Sequence, residues 1–187
     1  MPTILRAKCI IVGDSGVGKS SICQVFHSDG SSFPKTYTMN TGVELLVKSI
    51  NIPDSKDSVE MFMFDSAGKE IFSEVVRKFW ENPSMVMAVY DVTNETSFSS
   101  CEKWLERVRS QCPDVVLPGV LIANKVDLDQ RRVISPKAGK DMATTHQLEY
   151  FECSAKEMQN VDTPFFYLAA EYHKLYQERV QLFQSVA

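Results

Sequence analysis

The chain has 187 residues, 44% hydrophobic and 24% charged, with 20 basic against 24 acidic residues and a formal net charge of −4. That balance fits an ordinary soluble globular protein of one domain, 1–187, long enough to bury a substantial core, and it offers no basic surplus to mark nucleic acid as the main ligand. The five cysteines form no CxxC pair or Cys/His cluster, which argues against a disulfide framework or a zinc site, and no apolar run approaches the roughly 18 residues of a membrane span.

Ala7 to Val12 reads as a buried strand, and a helix opens at about Gly18 and ends near Ser28-Asp29-Gly30. Ser31 to Thr41 is polar, holds Pro34 and has no periodicity, so it reads as a loop. Two strands follow at about Val43–Ile52 and Val59–Asp65. The six residues from Pro53 to Ser58 join them, enough for a hairpin and too few for a crossover helix. Met85–Val92, Val120–Asn124 and Tyr150–Cys153 are further strands, the first two near-continuously apolar as expected of strands covered on both faces. Helical patterns lie between them at about Lys69–Trp80, Phe98–Cys112 and Pro136–Thr145, and a last one runs over Pro164–Phe183. In that last helix Phe165, Leu168, Ala169, Tyr172, Leu175 and Tyr176 recur at helical spacing, which reads as core packing. The alternation predicts an α/β fold of three layers: a six-stranded, mostly parallel sheet with one antiparallel edge strand and about five helices. Ligands in such folds bind at the carboxyl ends of the strands.

Two motifs stand at such ends. Gly13-Asp14-Ser15-Gly16-Val17-Gly18-Lys19-Ser20 matches G-x-x-x-x-G-K-[ST] between a strand and a helix, with Ser21 beside it. Glycines let several backbone N–H groups turn inward, the helix N-terminus favours an anion, Lys19 can reach the β- and γ-phosphates and the Ser20 hydroxyl can ligate Mg²⁺. The second motif, Asn124-Lys125-Val126-Asp127, selects the base. Guanine presents N1–H and its 2-amino group side by side, and a carboxylate, which only accepts, can take both; adenine leaves it unpaired. Polar pairing of this kind rejects the wrong ligand by roughly ten-thousand-fold. Lys125 can cover the base with its aliphatic stem, and Ser154-Ala155-Lys156 follows the last strand with a backbone N–H for the guanine oxygen.

On these motifs the chain resembles a Ras-superfamily small GTPase over about Leu5 to Tyr176. It is similar to the Rab branch, on Val89-Tyr90-Asp91-Val92-Thr93-Asn94-Glu95-Thr96-Ser97-Phe98 and Trp104-Leu105. The resemblance implies GTP/GDP and Mg²⁺ as cofactors. It implies that Asp65, of Asp65-Ser66-Ala67-Gly68, helps hold the metal, and that Gly68 offers its N–H to the γ-phosphate. Phe33 falls where the family often sets an aromatic ring against guanine; a hydrophobic anchor for the loop is the other reading. No cysteine follows Cys153, so about 177–187 reads as a short extension without a lipidation site and no direct lipid anchor is expected. In this the chain resembles the Rab-like GTPases of intraflagellar transport, on Phe64-Asp65-Ser66-Ala67-Gly68-Lys69-Glu70 and Val180-Gln181-Leu182-Phe183. That likeness implies a heterodimer with a small β-sandwich intraflagellar transport subunit inside the larger B complex, in cytoplasm and cilium or flagellum.

Two positions depart from the family. Its catalytic glutamine falls at Lys69, beside Gly68. Lysine has three donors and no acceptor, so it cannot orient the attacking water as glutamine does, and slow intrinsic hydrolysis is expected. Asn40 falls where the family has the threonine that ligates Mg²⁺, with Thr38 and Thr41 nearby; Asn40 can supply a carbonyl oxygen, although Mg²⁺ demands tight octahedral geometry. A GTP-dependent switch and a constitutive assembly subunit stabilised by bound nucleotide therefore both stay open, while a P-loop kinase finds no support. Of Phe72, Phe79 and Trp80, which follow the second switch, at least two are expected in the core.

Overall fold

A computed structural model describes residues 2–34, 36, 38–113 and 115–186. Six strands form one sheet in the order β2-β3-β1-β4-β5-β6, with β1 at Ile4–Val12, β2 at Val43–Asn51, β3 at Ser58–Ser66, β4 at Met85–Asp91, β5 at Gly119–Asn124 and β6 at Glu149–Glu152. Only β2 runs antiparallel to its neighbour, paired from Val43↔Ser66 to Asn51↔Ser58. The other pairings are parallel, as crossover helices require. The five α-helices of the described residues are α1 (Lys19–His27), α2 (Ser73–Arg77), α3 (Glu95–Arg109), α4 (Pro136–Thr145) and α5 (Thr163–Val186). The expected α/β sheet with one antiparallel edge strand is what the chain forms.

The central strands show why a continuous apolar run makes a parallel strand. Cys9 and Ile11 of β1, Met85, Met87 and Val89 of β4 and Val120 and Ile122 of β5 point to one face, where Phe26 of α1 and Phe165, Leu168 and Ala169 of α5 cover them. Ile10 and Val12, Val86, Ala88 and Tyr90, and Leu121 and Ala123 point to the other, under Trp104, Leu105 and Val108 of α3 and Ala143 of α4. The period of two thus feeds two cores from the same strands. Phe26 and Phe165 stack at 3.9 Å and 5°, fixing α1 against α5.

Most element ends fall within a few residues of expectation, and the misses have local causes. The helix expected over Lys69–Trp80 is a 3₁₀ turn at Glu70–Phe72 followed by the five residues of α2. Phe79 and Trp80 then close i→i+3 bonds to Val76 and Arg77, which swings the Trp80 ring into the core. α3 starts three residues before Phe98 because Asn94 caps it, its Oδ1 accepting from Ser97 N–H. A short 3₁₀ segment at Val126–Arg131 has no apolar periodicity to announce it. Phe165, Leu168 and Ala169 of the α5 stripe are buried, whereas Tyr176 is exposed, so the stripe leaves the core as the helix passes the sheet. Trp80 is fully buried and Phe72 packs against the second core, with Phe79 exposed.

Candidate functional site

At the carboxyl ends of β1, β4 and β5 lies a cavity of about 670 Å³. One end is the loop between β1 and α1. Gly13 has φ +139°, and a Cβ there would come within 2.2 Å of the Val89 carbonyl oxygen, so the loop can lie this close to β4 only without a side chain. Lys19, almost fully buried, donates from Nζ to the Gly13 and Asp14 carbonyls at 2.8 and 2.9 Å. Burial pulls its pKa down, and Asp65 and Asp14 oppose that shift.

Next to Lys19, Ser20 donates from Oγ to Asp65 Oδ2. Asp65, the last residue but one of β3, is fully buried, and its Oδ1 has no hydrogen-bond partner among the described residues. Burial raises the Asp65 pKa, against the hydrogen bond from Ser20 and the charge of Lys19. An orphaned carboxylate oxygen beside a serine hydroxyl fits a hard divalent cation, which takes oxygen ligands and favours the ionised acid. Among the described residues there is no cluster of three or more His, Cys, Asp and Glu to hold a metal by themselves. The pair therefore suits a cation whose remaining ligands are water or phosphate oxygens. Asn40 donates from Nδ2 to the Asp65 carbonyl at 2.9 Å, and its own Oδ1 accepts from Gly42 N–H at 2.9 Å. Its amide oxygen thus faces Gly42.

The other end is built on Asn124, which is buried and joins three segments. It donates from Nδ2 to the Val17 carbonyl at 2.8 Å, and its Oδ1 accepts from Ala155 N–H at 3.1 Å. A Cβ on Gly18 would meet that Nδ2 at 2.2 Å, so loop and pocket are packed against one another. Lys125 adopts φ +67° and reaches Asp91 with Nζ at 2.7 Å. Ser154 donates to Asp127 Oδ1 at 2.6 Å, holding the carboxylate at the cavity wall.

Ser15, Gly16, Gly18, Lys19, Ser20, Ser21, Phe33, Asn40, Gly68, Asn124, Lys125, Asp127, Ala155 and Lys156 all line this one cavity. Gly13, Asp14, Val17, Asp65 and Ser154 are not lining residues, but each is hydrogen-bonded to one that is. Lys69 is exposed and not among the lining residues. Phe33 lines the cavity and packs on the first core. Gln24, Met39, Glu44 and Leu128, which lie outside the motifs, also line it. Gln24 lies one helical turn beyond Ser20 and Ser21, a spacing that makes it findable from sequence; the other three carry no such signal. Lys35 and Tyr37, inside the expected loop, lie outside the described residues.

The Ras family model matches residues 8–174. The chain is 53% identical over 182 residues to the intraflagellar transport protein 27 homolog of Bos taurus, covering 97% of this chain and 98% of that one. It is 39% identical over 185 residues to intraflagellar transport protein 27 of Chlamydomonas reinhardtii, covering 97% and 91%. It is 33% identical over 168 residues to the Ras-related protein Rab-10 of Caenorhabditis elegans, covering 90% and 81%.

Proposed function

The chain belongs to the Ras family, and from that membership and the chemistry of the cavity we propose that it is a single GTPase domain that binds GTP and GDP with Mg²⁺ and hydrolyses GTP slowly on its own. The observation that carries the reading is the pairing, in one cavity, of Lys19 and Ser20 at one end with Asn124 and Asp127 at the other. Lys19 and the inward backbone of Gly13–Ser20 take the phosphates. Asp127, oriented by Ser154, takes the two guanine donors, and Lys125 covers the ring. Ser20 and Asp65 hold Mg²⁺, which supplies charge neutralisation at the phosphates.

The test is competition between guanine and adenine nucleotides for a fluorescent GDP. The expected outcome is strong preference for guanine, collapsing by about a hundredfold or more in Asp127→Ala; adenine competing equally with the unaltered chain overturns the reading.

The low rate rests on Lys69, whose side chain has no acceptor for a water proton and which stands outside the cavity lining. In a single-turnover assay Lys69→Gln should raise the hydrolysis rate, by about a hundredfold if it recovers the full effect of one positioned group. No gain removes this part of the reading.

The identities to proteins named for intraflagellar transport support a role as a subunit of that machinery in the cilium or flagellum, paired with a small β-sandwich subunit within the B complex. That no helix among the described residues is long and apolar enough to cross a membrane agrees with recruitment through a protein partner. A second reading, an assembly subunit that keeps its nucleotide for stability, is favoured by the turn of the Asn40 amide oxygen toward Gly42. Partner affinity with GDP, with a GTP analogue and without nucleotide separates the two. Equal affinities select the assembly role, because a ligand that binds two states equally shifts neither.

A further inference from the structure

Trp80 and Trp104, the two tryptophans of the chain, meet edge to face behind the phosphate end of the cavity, with centroids 6.3 Å apart and planes at 74°. Both are almost fully buried, and an indole N–H can only donate. Each finds its acceptor on a different phosphate-facing segment. Trp104 Nε1 donates to Asp14 Oδ1 at 2.8 Å, on the loop before α1. Trp80 Nε1 donates to Ser66 Oγ at 2.9 Å, at the end of β3 and directly after Asp65. The same two segments touch through Ser15 N–H, which donates to the Gly68 carbonyl at 3.0 Å. A Cβ on Gly68 would come within 2.4 Å of the Gly13 carbonyl oxygen, so this contact has no slack.

The residue after Lys69 is tied to the same brace. Glu70 is bound by both Arg107 amino nitrogens, one of them 3.0 Å from Oε2, and by Lys103 at 3.2 Å. The Arg107 guanidinium lies over the Trp104 ring, 5.2 Å from its centroid.

We propose that Trp104 and Ser66 are positioning residues of the nucleotide site: the two indoles set the spacing between the Asp14–Ser15 loop and the Ser66–Gly68 segment, and so tune the preference for a third phosphate over two. The inference rests on the guanine-nucleotide reading above. A group inserted where two segments already touch must move one of them, and the brace sets how far the Ser66 side travels. A buried indole N–H left without its acceptor costs far more than one that keeps it.

The experiment measures the affinity of a non-hydrolysable GTP analogue relative to GDP in Trp104→Phe, Ser66→Ala and Ser66→Thr. It also compares the tryptophan emission of the unaltered chain in the two nucleotide states. Trp104→Phe keeps a ring and loses the donor; Ser66→Thr keeps the hydroxyl. The expected result is a change of about five- to tenfold in the affinity ratio for Trp104→Phe and Ser66→Ala, the size of one buried hydrogen bond. Ser66→Thr should stay within about twofold, and emission should differ between the GDP and analogue complexes. A purely structural role would lower both affinities together and leave the ratio alone. An unchanged ratio in both folded variants overturns the proposal. So does identical emission in the two states, a readout that needs no variant to fold. Failure of the unaltered chain to bind either nucleotide is a distinct result, which overturns the underlying reading and the proposal with it.

Discussion

Gly13 and Gly16 occupy the same loop at positive φ, +139° and +81°, yet they are glycines for different reasons. At Gly16 a methyl group meets nothing within 4 Å, so only the backbone conformation resists it. At Gly13 it meets the backbone of β4 at 2.2 Å, and no side chain can step aside. Gly16→Ala should therefore cost about 1–2 kcal/mol, the penalty of a left-handed residue. Gly13→Ala should cost about 3 kcal/mol or more, in the range reserved for core overpacking. Denaturant unfolding of the two variants without nucleotide checks this; equal midpoints would show that the loop is free to lift off β4.

The hairpin of β2 and β3 shares the first core with the last helix, and a polar pair of side chains joins the two as well. His173 Nε2 of α5 lies 2.9 Å from Asp57 Oδ2 in the hairpin turn, and Asp57 Oδ1 accepts from Thr3 N–H at 2.8 Å. The His173 hydrogen bond, with that from Thr3 second, lowers the Asp57 pKa below 3.8. A carboxyl whose folded pKa is depressed stabilises the fold above its unfolded value, and that stability is lost as pH falls through the folded one. The tether should thus hold at neutral pH and weaken only as pH falls below the ordinary carboxylate range. Unfolding free energies at pH 7 and pH 3 should differ less in Asp57→Asn than in the unaltered chain. An equal difference in both would place the acid sensitivity elsewhere, as at Glu70, whose pKa the Arg107 hydrogen bond lowers to about 2.

At the scale of the molecule, the two cores hold the strands firmly while the site concentrates what the fold tolerates least, a buried carboxylate beside a buried lysine. Asp65 has the opposite sign to Asp57. Its pKa is raised by burial, so its contribution to the nucleotide-free protein improves as pH falls through the folded value and is least favourable at neutral pH. A bound cation reverses that. GDP with Mg²⁺ at a hundredfold excess over Kd should stabilise the chain by about 2.7 kcal/mol, or roughly 5–10 °C in melting temperature for a chain of this size. Asp65→Asn should lose the part of that gain that EDTA removes from the unaltered protein, without lowering the melting temperature of the nucleotide-free form. A Mg²⁺-dependent shift that survives in Asp65→Asn would remove Asp65 from the metal site.

The sequence by itself determined the order of strands and helices, the antiparallel hairpin and the two motifs, because each is local: a period of two or 3.6, a six-residue connector, a glycine-rich turn between a strand and a helix. It determined the residue types suited to a phosphate and a guanine as well, since those follow from what a carboxylate, a hydroxyl and an ammonium can donate or accept. Only the tertiary structure decided which of those residues line the cavity and which are bonded to those that do. The turning of Asn40 toward Gly42, the exposure of Lys69, the orphaned oxygen of Asp65 and the joining of Asp14 to Ser66 through Trp104 and Trp80 all depend on partners 2 to 90 positions away. The short α2 belongs with them. Its sequence pattern reads as one long helix, but burying Trp80 against Ser66 and Trp104 outweighs the weak preference of an exposed segment to continue helical.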